Sequence, residues 1–182
     1  MTPRFEVTFS DCDAGWIYMS VRAGDQVAED IVLSQVYDPI TQLLAWLEAL
    51  AAGLHSCAFE FDDEHQIVRI ASENVPSEGM RLTIARPNDE PPVFSATVER
   101  ESIVFGFYAA LVAFSESDAY VPLEWEGDVD WNDPDQADHP HGGLPWREMR
   151  SRAVEAWLAL PSSQKPYQFN HWRRWLKTHQ YR

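Results

Sequence analysis

Hydrophobic and polar residues alternate along the first third of the chain, and a period of two predicts half-buried strands. Over residues 4–10, Phe5, Val7 and Phe9 fall on one face and Glu6, Thr8 and Ser10 on the other. The run 11–15 (Asp-Cys-Asp-Ala-Gly) has turn chemistry. Residues 16–23 then alternate again, with Ile17, Met19 and Val21 opposite Trp16, Tyr18 and Ser20. Gly24 and Asp25 make a second turn, and a third strand is expected over 31–36. This reads as an antiparallel meander.

At Asp38-Pro39 the period changes. Asp38 can cap free N–H groups, and Pro39 suits a first helical turn, where its missing donor is not needed. Ile40, Leu43, Leu44, Leu47 and Leu50 follow at helical spacing, and Gly53 is a natural stop. Residues 56–62 and 66–72 form a predicted hairpin around Asp63, Glu64 and His65. Two more strands are expected at 79–86 and 92–99, joined by a Pro- and acid-rich stretch. Residues 101–115 return to helical spacing. Ile103, Phe107, Leu111 and Phe114 share one face, with Val104, Tyr108 and Val112 beside it. So apolar a helix predicts burial on more than one side. Gly106 reads either as a close approach of another backbone or as a tolerated glycine.

After Phe114 the periodicity fades. Residues 116–145 are rich in Asp, Glu, Pro and Gly and predict an irregular segment. Two short helices are expected at the end. One starts near Pro145 and carries Met149, Ala153, Ala156, Trp157 and Leu160. The other spans 167–178 and carries Phe169, Trp172, Trp175 and Leu176. The pattern therefore predicts an α+β fold with a mostly antiparallel, twisted sheet of about six or seven strands. The helices at 38–53 and 101–115 should cover one face, and the short C-terminal helices should pack at the edge or in an interface.

Composition fits one domain: 182 residues, 45% hydrophobic and 13% aromatic, are enough to build a core. Within it we distinguish a sheet-and-helix body (1–115), an acidic irregular segment (116–145) and a basic, Trp-rich helical tail (146–182). The start, Met1-Thr-Pro-Arg-Phe-Glu-Val, contains no apolar segment of the signal-peptide type. The longest uncharged apolar run, from Ile103 to Phe114, is 12 residues, too short to cross a bilayer. Two cysteines, Cys12 and Cys57, are too few for a secreted disulfide scaffold and read as free thiols. The expected location is cytoplasmic.

Charge changes the picture most. The formal net charge is -15. That argues against a nucleic-acid binder, which needs a basic footprint, and against binding to anionic membranes. Residues 1–146 hold 6 Lys/Arg and 27 Asp/Glu, a net of -21, whereas residues 147–182 hold 8 and 2, a net of +6. From Glu101 to Trp146 there are ten acidic residues and no Lys or Arg. The simplest reading of the tail is that it folds against its own acidic body. Alternatively it reaches a second copy and makes a homodimer. A third option, a nucleic-acid arm built on His171-Trp172-Arg173-Arg174-Trp175, is opposed by the field of the whole protein.

A dense acidic face on a small domain suits a basic protein partner. Immunity proteins and nuclease inhibitors need such a face, because the site they cover is built to hold a polyanion. The analogy is one of charge and size, not of aligned motif. The expected contact residues are Trp125, Asp128, Asp130, Trp131, Asp133 and Asp135, with the rings anchoring and the aspartates steering.

Chemical motifs are weaker. The run 128–135 begins like a calcium loop, but positions six and twelve are Asp133 and His139 instead of Gly and Glu, so the pattern fails. His139 and His141, near Asp135 and Asp138, could ligate zinc or another transition metal, yet Pro140 and Gly142-Gly143 favour a polar loop. Asp62, Asp63, Glu64 and His65 could supply acid–base groups, but they sit on a predicted hairpin turn, where such residues are expected for solubility and turn geometry. No nucleophile elbow, dinucleotide fingerprint or phosphate loop is present. The leading expectation is a non-enzymatic binding protein with no cofactor. The alternatives are a metal-dependent enzyme using loop 128–141 and a housekeeping domain that dimerises through its tail.

Overall fold

A computed structural model describes residues 4–87, 89–126 and 149–165. The fold is α+β, and its strands divide into two antiparallel sheets instead of one. The first is a meander of β1 (Phe5–Asp13), β2 (Trp16–Ala23) and β3 (Gln26–Ser34). The second runs in sequence order through β4 (Ser56–Asp62), β5 (Ile67–Val75), β6 (Gly79–Ala85) and β7 (Phe94–Val98). Between them the chain makes a short 3-10 turn, Gln35–Tyr37, and then α1 (Pro39–Ala51). After that insertion β4 does not pair with β3, and the strands form two separate meanders. β3 still touches both β4 and β7, which brings the sheets to one shared core.

Alternation places the core as expected: Val7, Ile17, Met19, Val21, Phe61, Ile70, Leu82 and Ile84 are all buried. Two differences have local causes. β1 runs on through the expected turn to Asp13, absorbing Asp11 as a bulge at φ 47°. β3 begins at Gln26, five residues before the expected strand, because a register shift opposite Met19 and Val21 leaves Glu29 and Asp30 both outward and masks the period.

The helices do not share one sheet face. α1 lies mainly against β4, and α2 (Arg100–Ser115) lies against β1; the two also pack on each other. Trp46 of α1 meets Phe107 of α2 edge-on, with centroids 5.2 Å apart, and Phe59 of β4 at 5.6 Å. Pro39 occupies the first turn of α1 as expected. Asp38 does not cap an N–H group; its carboxylate accepts from the Thr41 hydroxyl at 2.6 Å. Gly106 accommodates a ring and not a backbone: a Cβ there would stand 2.8 Å from the Phe5 ring.

After α2 come α3 (Pro122–Glu126) and α4 (Arg152–Leu158). The expected start of the latter near Pro145 lies outside the described residues, as does the expected helix at 167–178. The described part of the basic tail packs on the body. Met149, Val154 and Trp157 are buried against it. Ser151 caps α4 by accepting from the Val154 N–H at 3.2 Å, and its hydroxyl donates to Glu48 of α1 at 2.6 Å. The Ser151 N–H donates to the Tyr108 oxygen at 3.0 Å, and the Tyr108 hydroxyl donates to Glu155 at 2.8 Å. Burial pushes the Tyr108 hydroxyl up to about 12, so it stays a donor. Arg150 pairs with Glu116 and lies 3.6 Å from Glu155, while Lys165 pairs with Glu101 and sits 4.7 Å above the Trp157 ring. Both described cations that reach the body thus neutralise carboxylates of α2 or its C-terminal cap.

Candidate functional site

The β1–β2 turn and the loop between α2 and α3 meet at one end of the molecule. Ala14 and Gly15 both take positive φ, 51° and 84°, as a tight two-residue hairpin turn requires. α3 docks on this turn through its contacts with β1 and β2. The Ala14 N–H donates to Glu124 at 3.0 Å, and the Cys12 thiol donates to the Val121 carbonyl at 3.4 Å. Beneath them Tyr120 sits edge-on to Phe114 at 5.8 Å, and Phe114 touches Phe9 at 6.1 Å. The Tyr120 hydroxyl donates to Glu126 at 2.9 Å. A short loop is thereby fixed at both ends of α3.

The outer surface of this assembly is acidic. Asp11, Asp13, Glu116 and Asp118 are exposed, and Glu124 and Glu126 flank them at intermediate burial. Neither residues 5–21 nor residues 101–126 contain a Lys or Arg. Two aliphatic side chains stand within this field: Leu123 is 64% exposed and Val121 39%. Beside them a shallow groove of about 410 Å³ is lined by Ser115, Glu116, Ser117, Tyr120 and Pro122. Cys12 is buried beneath this loop. Burial pushes its thiol up, Glu124 and Asp13 add to that, and only the bond to Val121 opposes it. Cys57 lies on the other sheet, and its thiol is also raised by burial. Both are free.

Of the expected contact residues, Trp125 is described, and its ring is fully buried. On α3 it points inward while Leu123, two residues and roughly 200° earlier on the helix, points out. Trp125 is therefore a packing residue that seats α3. Asp128, Asp130, Trp131, Asp133 and Asp135 lie outside the described residues, as do His139 and His141. The sequence reading assigned Asp11 and Asp13 to a turn and did not single out Val121 or Leu123. A usable signal was present in Val121-Pro122-Leu123, an aliphatic pair around a helix-starting proline inside an acid-only stretch.

The hairpin carboxylates are committed to structure. Asp63 is buried and accepts from the backbone N–H groups of His65 and Gln66 at 3.0 and 2.8 Å. Asp62 accepts from the Glu64 N–H at 2.8 Å. Glu64 reaches the first sheet, accepting from the Ser34 hydroxyl at 2.6 Å and the Trp16 indole N–H at 2.7 Å. These donors, Ser34 first, hold its carboxyl below the ordinary glutamate range. A lowered folded value means that the stabilisation is full above the unfolded value and is lost as pH falls through the folded one. Stability of the natural chain should therefore drop on acidification, and Glu64→Gln should lose part of that dependence. Urea midpoints between pH 7 and 3 provide the check; parallel curves would show that Glu64 makes no titrating cross-sheet contact.

Among the described residues, no group of three or more His, Cys, Asp or Glu side chains is placed to hold a metal ion, and no helix is long and apolar enough to cross a membrane. The fold and this surface define an α+β protein of two antiparallel sheets with an acidic, partly aliphatic end. No family model, curated protein or solved structure matches the chain.

Proposed function

We propose that this chain is an acidic protein-binding domain of the immunity or inhibitor type, which covers a basic partner with the end formed by the β1–β2 turn and α3. One observation carries the reading: Leu123 and Val121 are exposed inside a surface rich in carboxylates. Charge alone would serve solubility. Exposed aliphatic groups ringed by carboxylates have the anatomy of a contact patch, in which apolar anchors hold and charges steer. The acidic run 128–138 follows α3 in sequence and contains five more aspartates. A partner whose own site binds a polyanion meets its complement there.

The test is retention of proteins from the source cell at low and high salt by the natural chain, by Asp13→Lys/Asp118→Lys and by Leu123→Ala. The natural chain is expected to retain a basic protein at low salt and release it at high salt. The double reversal should slow association by roughly tenfold or more at low salt, and the deficit should shrink as salt rises. Leu123→Ala should instead speed dissociation, by roughly thirtyfold if the side chain contributes about 2 kcal/mol. Equal retention by all three proteins, or retention of acidic proteins only, would remove the proposal.

A further inference from the structure

The end of the molecule that carries α3 bears a second exposed apolar pair. Val36 and Tyr37, in the 3-10 turn after β3, are 63% and 46% exposed. The β1–β2 turn joins this pair to Val121 and Leu123. On one side the Gln35 N–H donates to the Gly15 carbonyl at 2.8 Å. The Gln35 side chain packs over Gly15 so closely that a Cβ there would stand 2.3 Å from its amide nitrogen. On the other side α3 is tied to Ala14 through Glu124. The β4–β5 hairpin reaches the same end, where Glu64 accepts from Trp16 and Ser34. Ile67 follows that hairpin and is exposed too. Among the described residues, seven large hydrophobic side chains are exposed, and five of them border this end. The stretches that build it, 11–18, 34–38, 62–67 and 118–126, hold nine Asp or Glu and no Lys or Arg.

We infer that the two apolar pairs are halves of one docking surface, whose occupant is a basic segment of a partner protein with apolar side chains that meet both pairs at once. This rests on the partner-binding reading above and deepens it, by adding Val36, Tyr37 and Glu64 to the contact and by stating what the partner presents. Charge selects the occupant. Apolar groups alone would accept any hydrophobic surface, but a border of carboxylates without Lys or Arg favours a segment that brings its own cations. Asp13 and Glu64 are exposed to receive them. The Ser34 and Trp16 donors hold the Glu64 carboxyl below its ordinary range, so it stays charged at neutral pH. Ala14 and Gly15 carry nothing larger than a methyl group, so the turn itself raises little bulk between the pairs. The hydrogen bonds that join turn, 3-10 segment, hairpin and α3 fix the two pairs relative to each other. A surface so tied needs little ordering when a partner binds.

Titration of the isotope-labelled full chain with a synthetic peptide of about a dozen residues, alternately leucine and lysine, tests this by amide resonances. The amides of residues 13–16 and 35–37 should shift together with those of 123–125, along one binding curve. A peptide with serine in place of leucine should bind roughly tenfold more weakly or worse. Tyr37→Ser and Leu123→Ser should each weaken binding of the leucine-lysine peptide by roughly fivefold or more. Both side chains are exposed, so the melting temperature should hold in each variant. Shifts at 123–125 without any at 35–37, or full affinity in Tyr37→Ser, would overturn the inference and leave the α3 reading standing. No shift at either place would remove both. Equal binding of the serine-lysine peptide would reduce the surface to charge alone and overturn the inference. So would shifts at 35–37 that grow with protein concentration before peptide is added, which would assign the surface to a second copy.

Discussion

Replacing Trp125 with alanine is expected to destabilise the protein by roughly 3–5 kcal/mol. The ring is fully buried at the junction of α3 with β1 and β2. Its removal opens a cavity that five residues of helix cannot refill. Against a total stability of about 5–15 kcal/mol for a domain of this kind, such a loss is severe. Leu123→Ala, on the same short helix but 64% exposed, should change stability by less than about 0.5 kcal/mol. Urea unfolding of the two variants separates the roles. Trp125 acts on the fold, and Leu123 is free to act on a partner. A small loss for Trp125→Ala, comparable to that of Leu123→Ala, would mean that α3 is not seated on the β1–β2 turn.

Deleting residues 147–182 is expected to cost as much or more. The deletion strips Met149, Val154 and Trp157 from the core, and burying each such side chain is worth about 1.5–3 kcal/mol. It also removes the Ser151 hydroxyl from Glu48 and the Glu155 acceptor from Tyr108. Electrostatics act in the same direction. The remaining body carries a net charge of -21, compared with -15 for the full chain, and loses the ion pairs to Glu101 and Glu116. The truncated protein should therefore be most unstable at low ionic strength and recover partly with salt, which screens self-repulsion. Melting curves at two salt concentrations give the answer. An unchanged melting temperature would contradict the packing of α4 on α1 and α2.

Local pattern disclosed the elements well where one side chain in two faces the core. The strand at 16–23 has the bounds expected from its alternation, because Ile17, Met19 and Val21 have no bulge among them. β3 was legible only in its second half, since the bulge that leaves Glu29 and Asp30 outward hides the period. The division into two sheets was not legible. Whether β4 pairs with β3 is settled by where α1 returns the chain, and that depends on contacts between distant residues. The same limit governed the site. Acidity between Glu101 and Trp146 is a property of composition and could be read directly. The outward turn of Leu123 and the inward turn of Trp125 are set by how a five-residue helix docks, so a tryptophan in an acidic stretch looked like an anchor and proved to be core. The role of Glu64 was equally hidden, because its partners Trp16 and Ser34 lie in another sheet.

The reading as a partner-binding domain stands or falls on where contact occurs. The most direct measurement is amide hydrogen exchange of the full chain with and without a basic protein that it retains. Added protection is predicted at residues 11–14 and 116–126, with Leu123→Ala weakening it there. Protection confined to the outer faces of the sheets, with both of those stretches exchanging as in the free protein, would contradict the account.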